Sequence, residues 1–87
     1  MNRVKMYTTR WCADCWRAKR FLSARGVPVE EIDIEGDADA EAFVRRANDN
    51  RSRVPTFEVD GRTFHCSPFD AAKLERELDL VEDRKPS

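Results

Sequence analysis

The chain has 87 residues, the length of a single domain that can fold on its own hydrophobic core. Its 16 basic and 17 acidic side chains nearly cancel, and no basic tract interleaved with aromatics indicates nucleic acid as a partner. No apolar run is long enough for a membrane span or a signal peptide, and three cysteines do not make an even disulfide framework. We therefore expect a cytoplasmic monomer, with one domain over residues 1–81 and a frayed tail over residues 82–87.

The chain begins with a short apolar strand and an amphipathic helix. Residues 4–7 predict the strand. The helix begins at or just before Cys12 and runs to about residue 25, where Gly26 is a natural stop. One face of this helix is expected to be buried at helical spacing, and it consists of Cys15, Ala18 and Leu22.

A second strand and a second helix follow. Residues 29–34 alternate in part between apolar and polar side chains and predict the strand. Asp37 is placed to cap the helix. The expected buried face of the helix consists of Ala40, Phe43, Val44 and Ala47. Residues 48–53 are polar and charged, which predicts a loop.

The last third predicts a hairpin and a third helix. Asp60-Gly61 lies between residues 56–59 and 62–65, and this dipeptide between two strand-like runs is typical of a β-hairpin. Ser67 is then expected to cap a helix that has Pro68 at its first position and an acid three residues on. The expected buried stripe of this helix consists of Ala71, Leu74, Leu78 and Val81.

The resulting order is β-α-β-α-β-β-α. A βαβ unit requires parallel strands with a right-handed crossover, and a hairpin is antiparallel. We therefore expect an α/β fold with a four-stranded mixed sheet flanked by three helices. The cysteine pair falls in the first strand-to-helix turn, at the carboxyl end of a central strand, which is where open α/β sheets place their chemistry.

Cys12 and Cys15 are one helical turn apart, so they can close a disulfide. Cys12 is expected at the helix N-terminus, where backbone N–H groups and the helix dipole stabilise a thiolate, and Arg10 lies beside it. We expect Cys12 to be the nucleophile and the more buried Cys15 to resolve a mixed disulfide. Asp14 opposes the thiolate, which favours a more reducing pair.

Residues 6–15, Met-Tyr-Thr-Thr-Arg-Trp-Cys-Ala-Asp-Cys, resemble the glutaredoxins, and among them most of all the mycoredoxins. Val54-Pro55-Thr56-Phe57, about forty residues further on, strengthens the resemblance, which extends from Val4 to about Val81. It implies a thioredoxin-like fold in which a cis Val54–Pro55 peptide bond faces the cysteines, and in which the Val54 backbone pairs with an extended substrate.

The resemblance also implies a function. It implies a thiol-disulfide oxidoreductase that reduces protein disulfides or mixed disulfides and holds no bound cofactor. The electron donor would be a low-molecular-weight thiol, glutathione or mycothiol, or a thioredoxin reductase.

The chain departs from the family pattern where glutathione binds. Thr9 stands at the position of a family lysine, with Arg10 next to it. His65-Cys66 stand at the positions of a Gly-Gly pair, and Ser67-Pro68 where acids are expected. The electron donor therefore stays open between glutathione, mycothiol, another low-molecular-weight thiol and a thioredoxin reductase. The expected substrate-binding residues are Arg10, Trp11, Arg53, Val54, Pro55, Cys66 and Ser67.

Two further interpretations concern the third cysteine. Cys66 is either a small, half-buried residue at a strand end, the reading we favour, or a second thiol of lowered pKa that forms mixed disulfides. Cys12, Cys15, His65 and Cys66 also have the ligand types of a zinc site, but zinc knuckles do not lead directly into a helix, so we expect no metal. The alternatives to the oxidoreductase are a zinc or iron–sulfur protein and a redox-inert interaction module on the same fold.

Overall fold

The computed structural model describes residues 4–78. Within them the secondary-structure elements follow the predicted order. Their bounds are β1 Val4–Thr8, α1 Ala13–Ala24, β2 Val29–Asp33, α2 Ala38–Ala47, β3 Thr56–Val59, β4 Arg62–His65 and α3 Ala71–Glu77. The predictions for Val81 and for the tail at residues 82–87 lie outside the described residues, as does the predicted domain end.

The four strands form one mixed sheet in the order β2-β1-β3-β4. β1 pairs with β2 in parallel, and β3 pairs antiparallel with both β1 and β4. Because β3 runs against β1, the residues that lead into β3 lie at the same end of the sheet as the residues that leave β1. This topology confirms the predicted mixed sheet and places residues 54 and 55 beside the start of α1.

The core lies on both faces of the sheet because the side chains of β1 alternate. Met6 faces the larger cluster and Tyr7 the smaller one, which lies against α2. The predicted face of α1 is confirmed, since Cys15, Ala18 and Leu22 are all buried in the larger cluster. Among residues 4–78, no helix has both the length and the apolar character needed to cross a membrane.

The hairpin turn forms where the sequence predicts it. Asp60 and Gly61 connect β3 to β4 and have φ angles of 50° and 80°. Left-handed φ at both central residues defines the turn type whose twist matches that of paired strands. Glycine adopts this conformation without steric cost, which explains its place at the second position.

α2 begins and ends where the sequence predicts, but its buried face differs at the C-terminal end. Asp37 is its N-cap, and its carboxylate accepts the N–H of Ala40 at 3.0 Å. The prediction that Ala47 is buried is wrong, because the helix ends there and Ala47 is exposed. The next residue, Asn48, turns inward and is only 9% exposed. A residue assigned to a polar loop is therefore part of the interior.

Removing the cap of α2 should destabilise the protein by about 1 kcal/mol, because the Ala40 N–H loses its acceptor. We expect this loss of unfolding free energy for Asp37→Ala in urea denaturation. Asp39→Ala is the matched control, since Asp39 is exposed in the first turn of α2 and only its interaction with the helix dipole is lost. Equal losses in the two variants would contradict the capping role of Asp37.

α3 begins later than predicted. The expectation that Ser67 caps it, with Pro68 at the first helical position, is wrong: the N-cap is Asp70, and the helix starts at Ala71. Asp70 replaces Ser67 because its carboxylate accepts the N–H groups of both Ala72 and Lys73, at 3.0 and 3.3 Å. Of the predicted stripe Leu74 is buried, while Ala71 and Leu78 are partly buried.

Candidate active site

Cys12 is the N-cap residue of α1. Its backbone is extended, with φ −92° and ψ 108°, and its Sγ accepts the backbone N–H of Cys15 at 3.0 Å. The thiol is partly exposed, whereas Cys15 is buried at 3%. A sulfur that caps a helix of 12 residues receives both a backbone donor and the positive end of the helix dipole. The structure thus places the Cys12 sulfur at the N-terminus of α1, hydrogen-bonded to the Cys15 backbone and partly open to solvent.

Cys15 has the opposite character. The pKa of its thiol is raised to about 12, mainly by burial and then by the hydrogen bond and charge of Cys12, while hydrogen bonds to Thr8 and Thr9 act the other way. Because thiolates rather than thiols attack disulfides, Cys15 is inert in the reduced protein near neutral pH. The two sulfurs therefore differ in exposure and surroundings, and the different roles predicted for them stay predictions.

Iodoacetamide at pH 8 should modify Cys12 in the reduced protein and leave Cys15 and Cys66 intact. With the pKa of Cys15 at about 12, only about one molecule in ten thousand carries that thiolate at pH 8. Mass spectrometry of tryptic peptides, compared with the protein in urea, gives the site. Modification of Cys15 or Cys66 at a rate near that of Cys12 in the folded protein would contradict the assignment.

The residues around the cysteine pair form an exposed, charged rim. Trp11 is 82% exposed, Arg10 is exposed, and the Asp14 carboxylate accepts a hydrogen bond from Arg17 at 3.4 Å. The predicted effect of Asp14 on the Cys12–Cys15 pair stays a prediction.

A groove of about 300 Å³ lies beside Cys12 on the β2 side of the site. α1 contributes Trp16 and Lys19, and β2 contributes Glu31 and Asp33. Lys19 and Glu31 form an ion pair across it at 2.9 Å. Sequence reasoning missed this groove because only the parallel pairing of β1 with β2 brings the two carboxylates next to the cysteines.

The loop before β3 lies on the other side of Cys12. The Val54–Pro55 peptide bond is cis, and the Val54 carbonyl oxygen is 3.7 Å from Cys12 Sγ. Pro55 is buried, and its carbonyl oxygen accepts the N–H of Cys66 at 3.0 Å. Val54 and Arg53 are partly exposed. The structure thus brings the Val54–Pro55 peptide to Cys12, whereas Arg10 lines the groove on the β2 side.

The interpretation of Cys66 as an accessible thiol of lowered pKa is wrong. Cys66 is only 1% exposed, and burial raises the pKa of its thiol. Its Sγ accepts the backbone N–H of Asp70 at 3.2 Å and lies 3.5 Å from the Asp70 carbonyl oxygen, to which it can donate. Cys66 therefore holds the turn before α3. It is more buried than the half-buried strand-end residue we favoured.

The start of α3 offers less to a ligand than its position suggests. Asp70 occupies the N–H groups of Ala72 and Lys73 with its own carboxylate. The Ser67 N–H donates to Nδ1 of His65 at 3.4 Å. Ser67 is partly exposed, so its side chain stays a predicted substrate contact, but the N–H groups of Ala72 and Lys73 already have Asp70 as their acceptor.

His65 does not belong to a cluster of metal-ligating side chains in the described part of the chain. Within residues 4–78, His, Cys, Asp and Glu side chains nowhere come together in groups of three or more that could hold a metal ion. Burial lowers the pKa of His65, and the charges of Lys73 and Arg53 lower it further. The imidazole is thus neutral near pH 7, and no observation in this structure favours the zinc alternative.

Comparison with known proteins gives one consistent result. The family profile named Glutaredoxin matches residues 4–64. A Pseudomonas aeruginosa glutaredoxin is 41% identical over 81 residues, covering 93% of this chain and 96% of the relative. Mycoredoxin 1 of Corynebacterium glutamicum is 32% identical over 78 residues, covering 86% and 96%. The crystal structure of an Archaeoglobus fulgidus glutaredoxin superposes with a TM-score of 0.74 at 24% identity, covering 90% and 87% of the two chains, which supports the thioredoxin-like fold.

Proposed function

The chain belongs to the glutaredoxin family, and from that membership and the geometry of its cysteines we propose that it is a dithiol thiol-disulfide oxidoreductase. Cys12 is the nucleophile and Cys15 the resolving thiol. The observation that carries the proposal is the contrast between the two cysteines. Cys12 is partly exposed and caps the helix, with its Sγ accepting the Cys15 N–H at 3.0 Å, whereas the Cys15 side chain is buried. Thiol oxidoreductase chemistry is the activity of the family as a whole.

In the first step the Cys12 thiolate attacks one sulfur of a protein disulfide or a mixed disulfide. The bond between Cys12 and the substrate sulfur forms as the substrate's own S–S bond breaks, and the departing thiolate takes a proton from solvent. The Cys15 N–H and the N-terminus of α1 stabilise the sulfur charge before attack and, in the reverse direction, when Cys12 leaves. Arg10, Trp11, Arg53 and Ser67 are proposed contacts for the substrate around this point, together with the backbone of Val54 and the ring of Pro55.

In the second step Cys15 loses its proton and attacks Cys12 Sγ. The Cys12–Cys15 disulfide forms, and the second substrate thiol is released. Part of the raised pKa of Cys15 comes from the hydrogen bond and charge of Cys12. Once Cys12 is bound in a mixed disulfide it carries no charge, so this part disappears, and Cys15 becomes easier to deprotonate when its attack is needed.

Two electrons must then return to the Cys12–Cys15 disulfide. Two small thiols can supply them, becoming one disulfide, or a thioredoxin reductase can do so. The chain is similar to relatives of two kinds, a glutaredoxin and a mycoredoxin, each matched over most of its length. We propose glutathione or mycothiol as the thiol, or the reductase, with protein disulfides as substrates. We further propose a cytoplasmic monomer without nucleic-acid, membrane or metal partners.

The test is a coupled turnover assay with a mixed disulfide of the small thiol and with a protein disulfide. Glutathione, mycothiol and a thioredoxin reductase are each supplied with their own NADPH-dependent regeneration system, and NADPH consumption is followed. We expect turnover with at least one donor, and the preferred donor is the one with the highest kcat/KM. Reduced protein that exchanges with no disulfide, while remaining folded, would instead support the redox-inert interaction module.

A further inference from the structure

A buried hydrogen-bond relay connects the end of α2 with the loop beside Cys12. Asn48 Nδ2 donates to the Val44 carbonyl oxygen at 2.8 Å and to Thr56 Oγ1 at 3.0 Å. The Thr56 hydroxyl donates in turn to the Arg53 carbonyl oxygen at 2.7 Å. Asn48 is 9% exposed and Thr56 is fully buried. We call these three contacts the Asn48–Thr56 relay.

The relay ends one residue before the contact with the nucleophile. Arg53, whose carbonyl it holds, precedes Val54, and the Val54 carbonyl oxygen lies 3.7 Å from Cys12 Sγ. The Arg53 carbonyl and the Val54 N–H belong to one planar peptide unit, so a hydrogen bond that fixes this carbonyl also fixes the orientation of the Val54 N–H. The position of the Val54 backbone relative to the sulfur is therefore determined in part by two buried side chains that never touch Cys12.

The loop itself offers few other restraints at that point. Its first half is held by α2, through the Asn50 N–H on the Arg45 carbonyl at 2.7 Å and the Arg45 side chain on the Asn50 carbonyl at 3.1 Å. Asp49 and Asn50 both have left-handed φ, so this half is a tight turn. The second half is anchored by the Thr56 hydroxyl and by an Arg53 N–H to Arg51 carbonyl bond of 3.1 Å within the loop.

We propose that Asn48 and Thr56 are positioning residues that align the Val54 backbone for pairing with an extended polypeptide substrate. The inference rests on the proposed function and adds that the protein distinguishes extended polypeptide substrates from small disulfides. A substrate that lies along Val54 needs the relay, whereas a small disulfide that touches only Cys12 does not. Buried polar groups that are fully hydrogen-bonded hold one geometry, which suits a backbone template.

The test compares two probes that release the same leaving group. One is a short linear peptide whose single cysteine is joined in a mixed disulfide to 5-thio-2-nitrobenzoate, and the other is free cysteine joined to the same group. Cys12 attacks the cysteine sulfur, the new disulfide forms at Cys12, and the coloured thiolate leaves. The ratio of the two second-order rate constants reports the contribution of the peptide backbone independently of the reactivity of Cys12.

Thr56→Val removes the hydroxyl and keeps the side-chain volume, so we expect the rate with the peptide to fall about tenfold and the rate with free cysteine by less than about twofold. Thr56→Ser restores the hydroxyl and should recover the peptide rate to within about twofold. Asn48→Ala should show a smaller loss of the same kind. Thr63→Val is the matched control, because Thr63 is exposed on the adjacent strand β4.

All variants are assayed under conditions in which urea denaturation shows that they are folded. Equal losses with both probes in Thr56→Val, or an unchanged peptide rate, would overturn the positioning role. So would a Thr56→Ser variant that stays as slow as Thr56→Val. A wild-type protein that releases the leaving group from neither probe would contradict the proposed function instead, so the two failures are distinguishable.

Discussion

Replacing Cys12 with serine should lower the turnover of disulfide substrates on the order of a thousandfold or more. The variant keeps the helix cap, because a serine hydroxyl can accept the Cys15 N–H as the sulfur does at 3.0 Å. It loses the sulfur that forms the mixed disulfide, and no other thiol in the described residues can take its place, since Cys15 and Cys66 are buried and have raised pKa values. The measurement is turnover of a protein disulfide and of a small mixed disulfide.

Cys15→Ser is the informative counterpart. The first attack should proceed normally, but no internal thiol then resolves the adduct, so a covalent complex with a protein substrate accumulates. Non-reducing gel electrophoresis should show the complex, mass spectrometry should find the adduct on Cys12, and turnover that depends on an added small thiol should persist. The assigned roles would be reversed if Cys15→Ser lost turnover of both the protein disulfide and the small mixed disulfide while Cys12→Ser kept both.

Phe57→Ala should lower the free energy of unfolding by about 3–5 kcal/mol, a large share of the 5–15 kcal/mol of a typical domain. Phe57 is fully buried on the central strand β3, paired in register with Met6 of β1. Its removal leaves a cavity at the centre of the larger core cluster, where backbone pairing on both sides prevents collapse. The measurement is the midpoint and slope of urea denaturation.

Phe64→Ala is the matched control for this effect. The two rings stack with centroids 5.3 Å apart, so either substitution removes the same aromatic contact. Phe64 is only partly buried on the edge strand β4, so less apolar surface returns to water, and we expect a loss of about 1–2 kcal/mol. Equal losses in the two variants would mean that burial at the sheet centre is not what makes Phe57 important.

Local sequence signals predicted most helices and turns correctly, because each signal depended on residues with a strong preference for one local structure. Asp37 supplies a cap, Asp60-Gly61 a left-handed turn, and the spacing of Ala18 and Leu22 a buried helical face, and all appear in the structure. The predicted start of α3 is wrong because Asp70, which was expected inside the first turn, is the residue that caps the helix. The sequence does not show the long turn before α3, in which Cys66 Sγ contacts the Asp70 backbone.

The sequence predicted the two sulfurs of the site and the cis Val54–Pro55 peptide beside them, but not the rest of the surroundings. The spacing of Cys12 and Cys15 fixes their relation within one helix turn, which needs no long-range information. Asn48 illustrates what the sequence conceals: an asparagine in a charged stretch is typical of exposed loops, and only the packing of α2 against β3 gives its amide the Thr56 hydroxyl as a partner. The groove on the β2 side depends likewise on strand pairing.

The most direct test of the dithiol assignment is a redox titration in which free thiols at each cysteine are counted by alkylation and mass spectrometry across a series of thiol–disulfide buffers. We predict that Cys12 and Cys15 are lost together in one reversible two-electron transition, with about 30 mV for each tenfold change in the ratio of reduced to oxidised protein. Cys66 should stay reduced throughout, because it is buried. Independent oxidation of Cys12 and Cys15, or a disulfide that includes Cys66, would contradict the account.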